Sequence, residues 1–363
     1  MITLEGERLT IRFPQVHEDA KTEIQFQRTL RIPDDGKHYP LPPGFGPFQT
    51  KHVEDFARQV PKDWSERGGV MLPMYQAEAM WIAFRGWYSG YPCAVKIAAG
   101  KINAVSGKPW KPELDAADRD YVVLPEQPWL DGFCVAEGVV RQFVAMPLGS
   151  GYSVEEQITG KAEHGGVQII VYPMKRERYR EVLRKREEER RRARGQDERR
   201  YISRASGSGI LFSLSGHSQS EVRACAAPRA MALAAGGRMK QHIYKDPHGI
   251  EAWDHAVSSR CFVTLVDAVQ WVEITGEKPA AKPPTAEDYS AAGLPWFDYY
   301  AADLEALGGA QALTLVKSVA EMAAEKGEQP LGPDGKVNPG PVISVGPGKK
   351  PSKPARPVRE SQV

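Results

Sequence analysis

The chain has 363 residues, 41% of them hydrophobic, enough for a buried core and more than one packing unit. No run approaches the roughly 20 apolar residues that a spanning helix needs, and the first eight residues lack a basic segment followed by an apolar one. The sequence therefore predicts no membrane partner and no signal peptide. Four widely spaced cysteines, Cys93, Cys134, Cys225 and Cys261, form no Cys-x-x-Cys pair and point to reduced thiols in a cytoplasmic protein.

The net charge of +2 conceals an asymmetry. Residues 175–200 hold 13 Lys/Arg against seven Asp/Glu, a local charge of +6. Residues 349–363 hold five Lys/Arg against one Glu, or +4, which leaves about −8 for the remainder. The expected body is acidic, with its basic charge on two appendages.

In chain order, residues 1–173 read as a β-rich block with long Pro/Gly loops. Leu9–Phe13 and Glu23–Gln27 alternate apolar and polar side chains, the period of a half-buried strand. Five prolines and three glycines between Pro33 and Pro47 predict a loop, with Tyr39, Leu41, Phe45 and Phe48 to anchor it. Met74, Ala77, Met80, Trp81 and Phe84 share one helical stripe and predict a helix over 74–84. Strands are expected at Cys93–Ala98, Tyr121–Leu124, Val139–Met146 and Val167–Tyr172, the last of them central because it is almost wholly apolar. Ser153 followed by Glu156 is a capping box that should open a short helix closing at Gly160.

Residues 174–200 predict an exposed Arg/Glu-rich helix. Glu181/Lys185, Glu187/Arg191 and Glu188/Arg192 stand in the favourable i,i+4 order, each pair worth about 0.2–0.5 kcal/mol. A mixed α/β block should follow over 201–327. It has a strand at Ile210–Leu214 and helices at Glu221–Ala235, Cys261–Ile274, after the cap at Thr285, and at Gln311–Lys326. Residues 328–363, rich in Pro, Gly and Lys, predict a disordered basic tail. The fold class this implies is α+β: a β-rich N-terminal block and an α/β C-terminal block, joined by the charged helix.

Three constellations carry chemistry. Gly216-His217-Ser218-Gln219-Ser220 sits between an apolar strand and a helical stretch, and is similar to the Gly-x-Ser-x-Gly elbow of α/β-hydrolases. Ser220 replaces the last glycine and crowds the turn. Downstream, Asp254 or Asp267 could supply the acid, and of these only Asp254 is followed by a histidine, its neighbour His255, a pair too close to complete a triad with Ser218. His242, Asp246, His248 and His255 offer metal-ligand chemistry, but their spacing matches no helical His pair, and Asp246-Pro247-His248-Gly249 reads as a turn. Aromatic clusters recur beside proline, at Tyr75, at Pro128-Trp129 and at Trp296, Phe297, Tyr299 and Tyr300; the last is the expected partner-facing patch. No phosphate loop or dinucleotide fingerprint occurs, so no cofactor is expected.

The sequence favours a non-enzymatic protein-binding or assembly module whose partner is another protein or a second copy. The rival is a serine hydrolase using Ser218. A third reading, nucleic-acid or other polyanion binding through the charged helix, is disfavoured by its interleaved acids.

Overall fold

A computed structural model describes residues 1–85, 90–115, 117, 119–197, 230–279, 281–301, 303–329, 337, 339 and 341–346. Ser218, the strand expected at Ile210–Leu214 and the tail from 347 lie outside the described residues. Among the described residues, no helix is long and apolar enough to cross a membrane.

The expected α+β fold is overturned. The molecule is mostly β, built on one large, predominantly antiparallel sheet of 16 strands. Its main path runs Ile2–Glu5, Arg8–Arg12, Lys21–Thr29, Ala79–Arg85, Val139–Pro147, Ala230–Lys240, Ser259–Asp267, Val167–Pro173, Cys93–Ala99 and Val122–Leu124. Strands from both sides of the charged helix thus share one sheet. Val167–Pro173 is central, between Cys93–Ala99 and Ser259–Asp267, and all seven of its residues are buried. Burial on both faces explains its continuous apolar run.

Three segments read as helical are strands, and each has its own cause. Residues 74–84 contain the end of one strand, Val70–Met74, then a turn, then the strand Ala79–Arg85. Ala77 lies in that turn at φ 65°, in the left-handed region. The apolar spacing fits a helix on paper, but Met80, Ile82 and Phe84 alternate with Trp81 and Ala83 on the two faces of a strand. Ser259–Asp267 pairs with Val167–Pro173 on one side and, in parallel, with Val70–Met74 on the other. Only at Asp267, whose side chain accepts from the Val269 amide at 2.9 Å, does a helix begin, over Ala268–Thr275. Ala230–Lys240 is alanine-rich, yet it pairs with Val139–Pro147 along eight register positions. Helix propensity is a weak prior, and tertiary pairing overrides it here.

Local signals near helix ends hold. Val154–Thr159 starts from the Ser153/Glu156 capping box and stops at Gly160, φ 71°. The expected helix over 311–326 is two pieces, Gln311–Thr314 and Val319–Lys326, the second opened by a capping box at Ser318 and Glu321. The charged helix spans Arg176–Asp197.

Candidate functional site

One segment, residues 125–129, supplies two walls of the larger of two concavities. Gln127, 1% exposed, fixes it: its Nε2 donates to the Trp129 carbonyl at 3.0 Å and the His242 carbonyl at 3.3 Å, and its Oε1 accepts from the Tyr244 amide at 3.2 Å. On one side of this anchor Glu126 reaches His248, and on the other Pro128 and Trp129 wall an apolar cleft.

The cleft has a volume of about 440 Å³ and is lined by Gln27, Gly44, Trp81, Ala83, Phe84, Pro128 and Trp129. Its floor follows from strand alternation. Gln27 lies opposite Trp81, and Trp129 lies opposite Ala83, so these side chains share one face of the sheet, where Trp129 is buried and Trp81 packs against the core. The Trp81 and Trp129 rings pack edge to face, with centroids 6.2 Å apart at 64°, and together form one wall of the cleft. Gly44 closes the far wall; a Cβ there would meet Gln27 Oε1 and Trp81 Cζ2, both at 3.0 Å. None of these lining residues carries a charge.

The second concavity is a smaller cavity of about 190 Å³ whose walls include the charged residues Arg119, Lys245 and Asp246 beside Tyr121 and Ile250. Asp246 organises it. Its Oδ2 accepts from the Tyr121 hydroxyl and Trp253 Nε1, both at 2.8 Å, and its Oδ1 from the amides of His248 at 2.7 Å and Gly249 at 3.1 Å. Burial, reinforced by the Asp246 carboxylate, raises the Tyr121 hydroxyl far above the usual phenol range. With four donors satisfied, Asp246 acts as a structural staple for the turn.

The proposed metal ligands are spread apart. His248 Nε2 lies 3.5 Å from Glu126 Oε1. His242 packs between Tyr244 and Tyr300, with ring centroids at 6.2 and 6.0 Å. His255 is exposed, its Nε2 3.1 Å from the Ile250 carbonyl, and the Asp254 side chain accepts from the Ala256 amide. Among the described residues, no three His, Cys, Asp or Glu side chains gather as a metal site would require.

The aromatic patch is divided by burial. Trp296 and Tyr299, on the strand Trp296–Tyr299, are 2% and 7% exposed and anchor that strand to the body. Phe297 is half-buried, exchanging two 2.8 Å backbone hydrogen bonds with Leu41, and Tyr300 is half-buried against His242. Tyr299 does contribute to the cleft indirectly, packing edge-on against Trp129 at 5.2 Å.

Sequence reasoning singled out Pro128-Trp129 but missed Trp81, Gln27 and Gly44. The alternation Met80-Trp81-Ile82-Ala83-Phe84 was the available signal, masked by helical spacing. No protein-family model, curated protein or solved structure matches this chain.

Proposed function

We propose that this protein is a non-enzymatic binding module that takes an extended, proline-containing polypeptide segment into the cleft walled by Trp81 and Trp129. The observation that carries the reading is the edge-to-face tryptophan pair in the wall of a cleft whose described lining residues carry no charge. Proline-rich chains adopt the polyproline II conformation without help, so little ordering entropy is lost when their rings dock in aromatic-lined grooves. The absence of charge among the lining residues argues against phosphates and nucleic acid as the cleft's ligand. Free, buried thiols at Cys93, Cys134 and Cys261 support a cytoplasmic setting. The hydrolase alternative gains no support from either concavity, because Ser218 lies outside the described residues.

The test is titration with a proline-rich peptide of about eight residues, followed by tryptophan fluorescence and by the indole N–H signals in NMR. Shifts confined to Trp81 and Trp129, lost in Trp81→Leu while the urea midpoint stays near wild type, are expected. Binding that survives Trp81→Leu unchanged, or shifts that fall on other tryptophans, would rule out this cleft.

A further inference from the structure

The chain carries a segment matched to that cleft. Residues 350–358 read Lys350-Pro351-Ser352, Lys353-Pro354-Ala355, Arg356-Pro357-Val358, three consecutive triplets of cation, proline and a small or apolar residue. A polyproline II helix has three residues per turn. This repeat therefore writes Pro351, Pro354 and Pro357 along one edge and Lys350, Lys353 and Arg356 along another. An apolar ridge and a cationic ridge on the same rod suit an uncharged, tryptophan-walled cleft set in a protein whose remaining residues carry about −8.

The place where the described chain stops supports the match. The strand Val342–Val345 pairs in parallel with Trp296–Tyr299, and Gly346 lies against Tyr300 and Tyr299, where a Cβ would come within 2.2 Å of the Tyr300 carbonyl oxygen and 3.2 Å of Tyr299 Cε2. Tyr299 in turn touches Trp129, a wall of the cleft, at 5.2 Å between ring centroids. Only Pro347–Lys350 separate Gly346 from the first repeat proline, and four residues of polyproline II span roughly 12 Å. One aromatic ring separates Gly346 from the cleft wall, so the tether reaches.

We infer that residues 350–358 are an intramolecular ligand of the Trp81/Trp129 cleft, so that the protein occludes its own binding site until a competing segment displaces the tail. This rests on the reading of the cleft as a proline-segment site. A tethered ligand sits at a millimolar effective concentration, so even a weak tail suppresses outside ligands strongly.

The experiment compares the full chain with a chain ending at Gly346, using as probes a labelled peptide of residues 347–363 and an unrelated proline-rich peptide. The shortened chain is expected to bind the 347–363 peptide about tenfold or more tightly than the full chain does. That binding should vanish when Pro351, Pro354 and Pro357 are replaced by Ala in the peptide, or with Trp81→Leu in the protein. If the unrelated peptide binds but the 347–363 peptide does not, the tail inference fails and the cleft reading survives. If neither binds, both fail. Binding of the 347–363 peptide that ignores both sets of substitutions overturns the inference by assigning it to charge alone. A full-length dimer that becomes monomeric on truncation overturns the intramolecular form.

Discussion

Asp131 follows directly on the strand Trp129–Leu130 that walls the cleft, and it is a carboxyl group 2% exposed with no ion-pair partner among the described residues. Its Oδ2 accepts from Gln241 Nε2 at 2.7 Å and its amide donates to Gln241 Oε1 at 3.0 Å. Desolvation pushes its pKa from 3.8 up to about 8, the Gln241 hydrogen bond only partly opposing it. The folded chain therefore holds a proton there at neutral pH, while the unfolded chain, titrating near its ordinary value of about 3.9, does not. The stability this proton linkage contributes is full below about pH 4 and is lost progressively as pH rises towards the folded pKa near 8. At roughly 1.4 kcal/mol per pH unit, the loss between pH 4 and pH 7 is of order 4 kcal/mol. Asp131→Asn keeps the shape and an acceptor for Gln241 but has nothing to ionise. Urea unfolding from pH 5 to pH 8.5 should show the wild type losing stability as pH rises and the variant nearly flat, ahead by about 2–4 kcal/mol at pH 7.5. If the variant keeps the wild-type pH slope, or is weaker at every pH, Asp131 is not the buried neutral acid described here.

Gly44→Ala should displace Trp81, since the new Cβ stands 3.0 Å from its ring, and the readout is a shifted tryptophan emission with weakened peptide binding at near-normal stability. Gly237→Ala puts a Cβ 2.4 Å from the Pro33 carbonyl oxygen and 2.7 Å from that of Ile32, backbone atoms that cannot swing aside. A loss of about 2–3 kcal/mol in chemical unfolding is expected there, and wild-type stability would contradict the close packing. Ser318→Ala breaks the capping box of Val319–Lys326 and should cost about 1 kcal/mol, restored in large part by Ser318→Thr. Tyr179→Ala removes the ring that lies 4.2 Å from Tyr91 and 5.2 Å from His17, and far-ultraviolet circular dichroism should report lost helix; unchanged helicity would mean the charged helix holds itself.

What could be read from residues alone was whatever depends on near neighbours. Ser153 with Glu156 and Gly160 fix a helix start and stop within one or two turns and appear as expected. Gly327 ends Val319–Lys326 as expected, whereas the Ser318/Glu321 start inside the expected 311–326 helix went unread. Strands whose period or apolar run is unambiguous, such as Val167–Pro173, were equally legible. The errors fall where the outcome depends on partners distant in sequence. Nothing within 230–240 announces that its alanines will be clasped by Val139–Pro147, about ninety residues earlier. Gly236 and Gly237 were the faint clue, since their missing side chains admit Gln142 and Val144 on one side and the Ile32–Pro33 backbone on the other. The cleft was half legible for the same reason. Trp129 beside Pro128 stands out in any reading, whereas its companionship with Trp81 exists only once Trp129–Leu130 pairs with Ala79–Arg85.

The charged helix, the most conspicuous feature of the sequence, is secured differently from what its composition suggests. Its i,i+4 acid–base spacings predict a rod stitched by its own ion pairs. Among its described side chains, the ion pair formed is Arg178–Glu181, at i,i+3 and 2.8 Å, with both groups nearly half exposed. An exposed pair of that kind contributes at most about 1 kcal/mol. The stronger hold is at its root, where Tyr179 is 4% exposed against Tyr91 and Val182 packs at the edge of the core. Beyond Leu183, itself 42% exposed, the described side chains offer the body no apolar contact. The helix is thus fastened at its root, and its described side chains beyond Leu183 are all charged. The helix follows the end of the central strand Val167–Pro173, while the second basic segment of the sequence, residues 349–363, lies outside the described residues. Of the two basic segments only residues 349–363 add a proline at every third position, and the proposed tail ligand rests on that repeat rather than on charge.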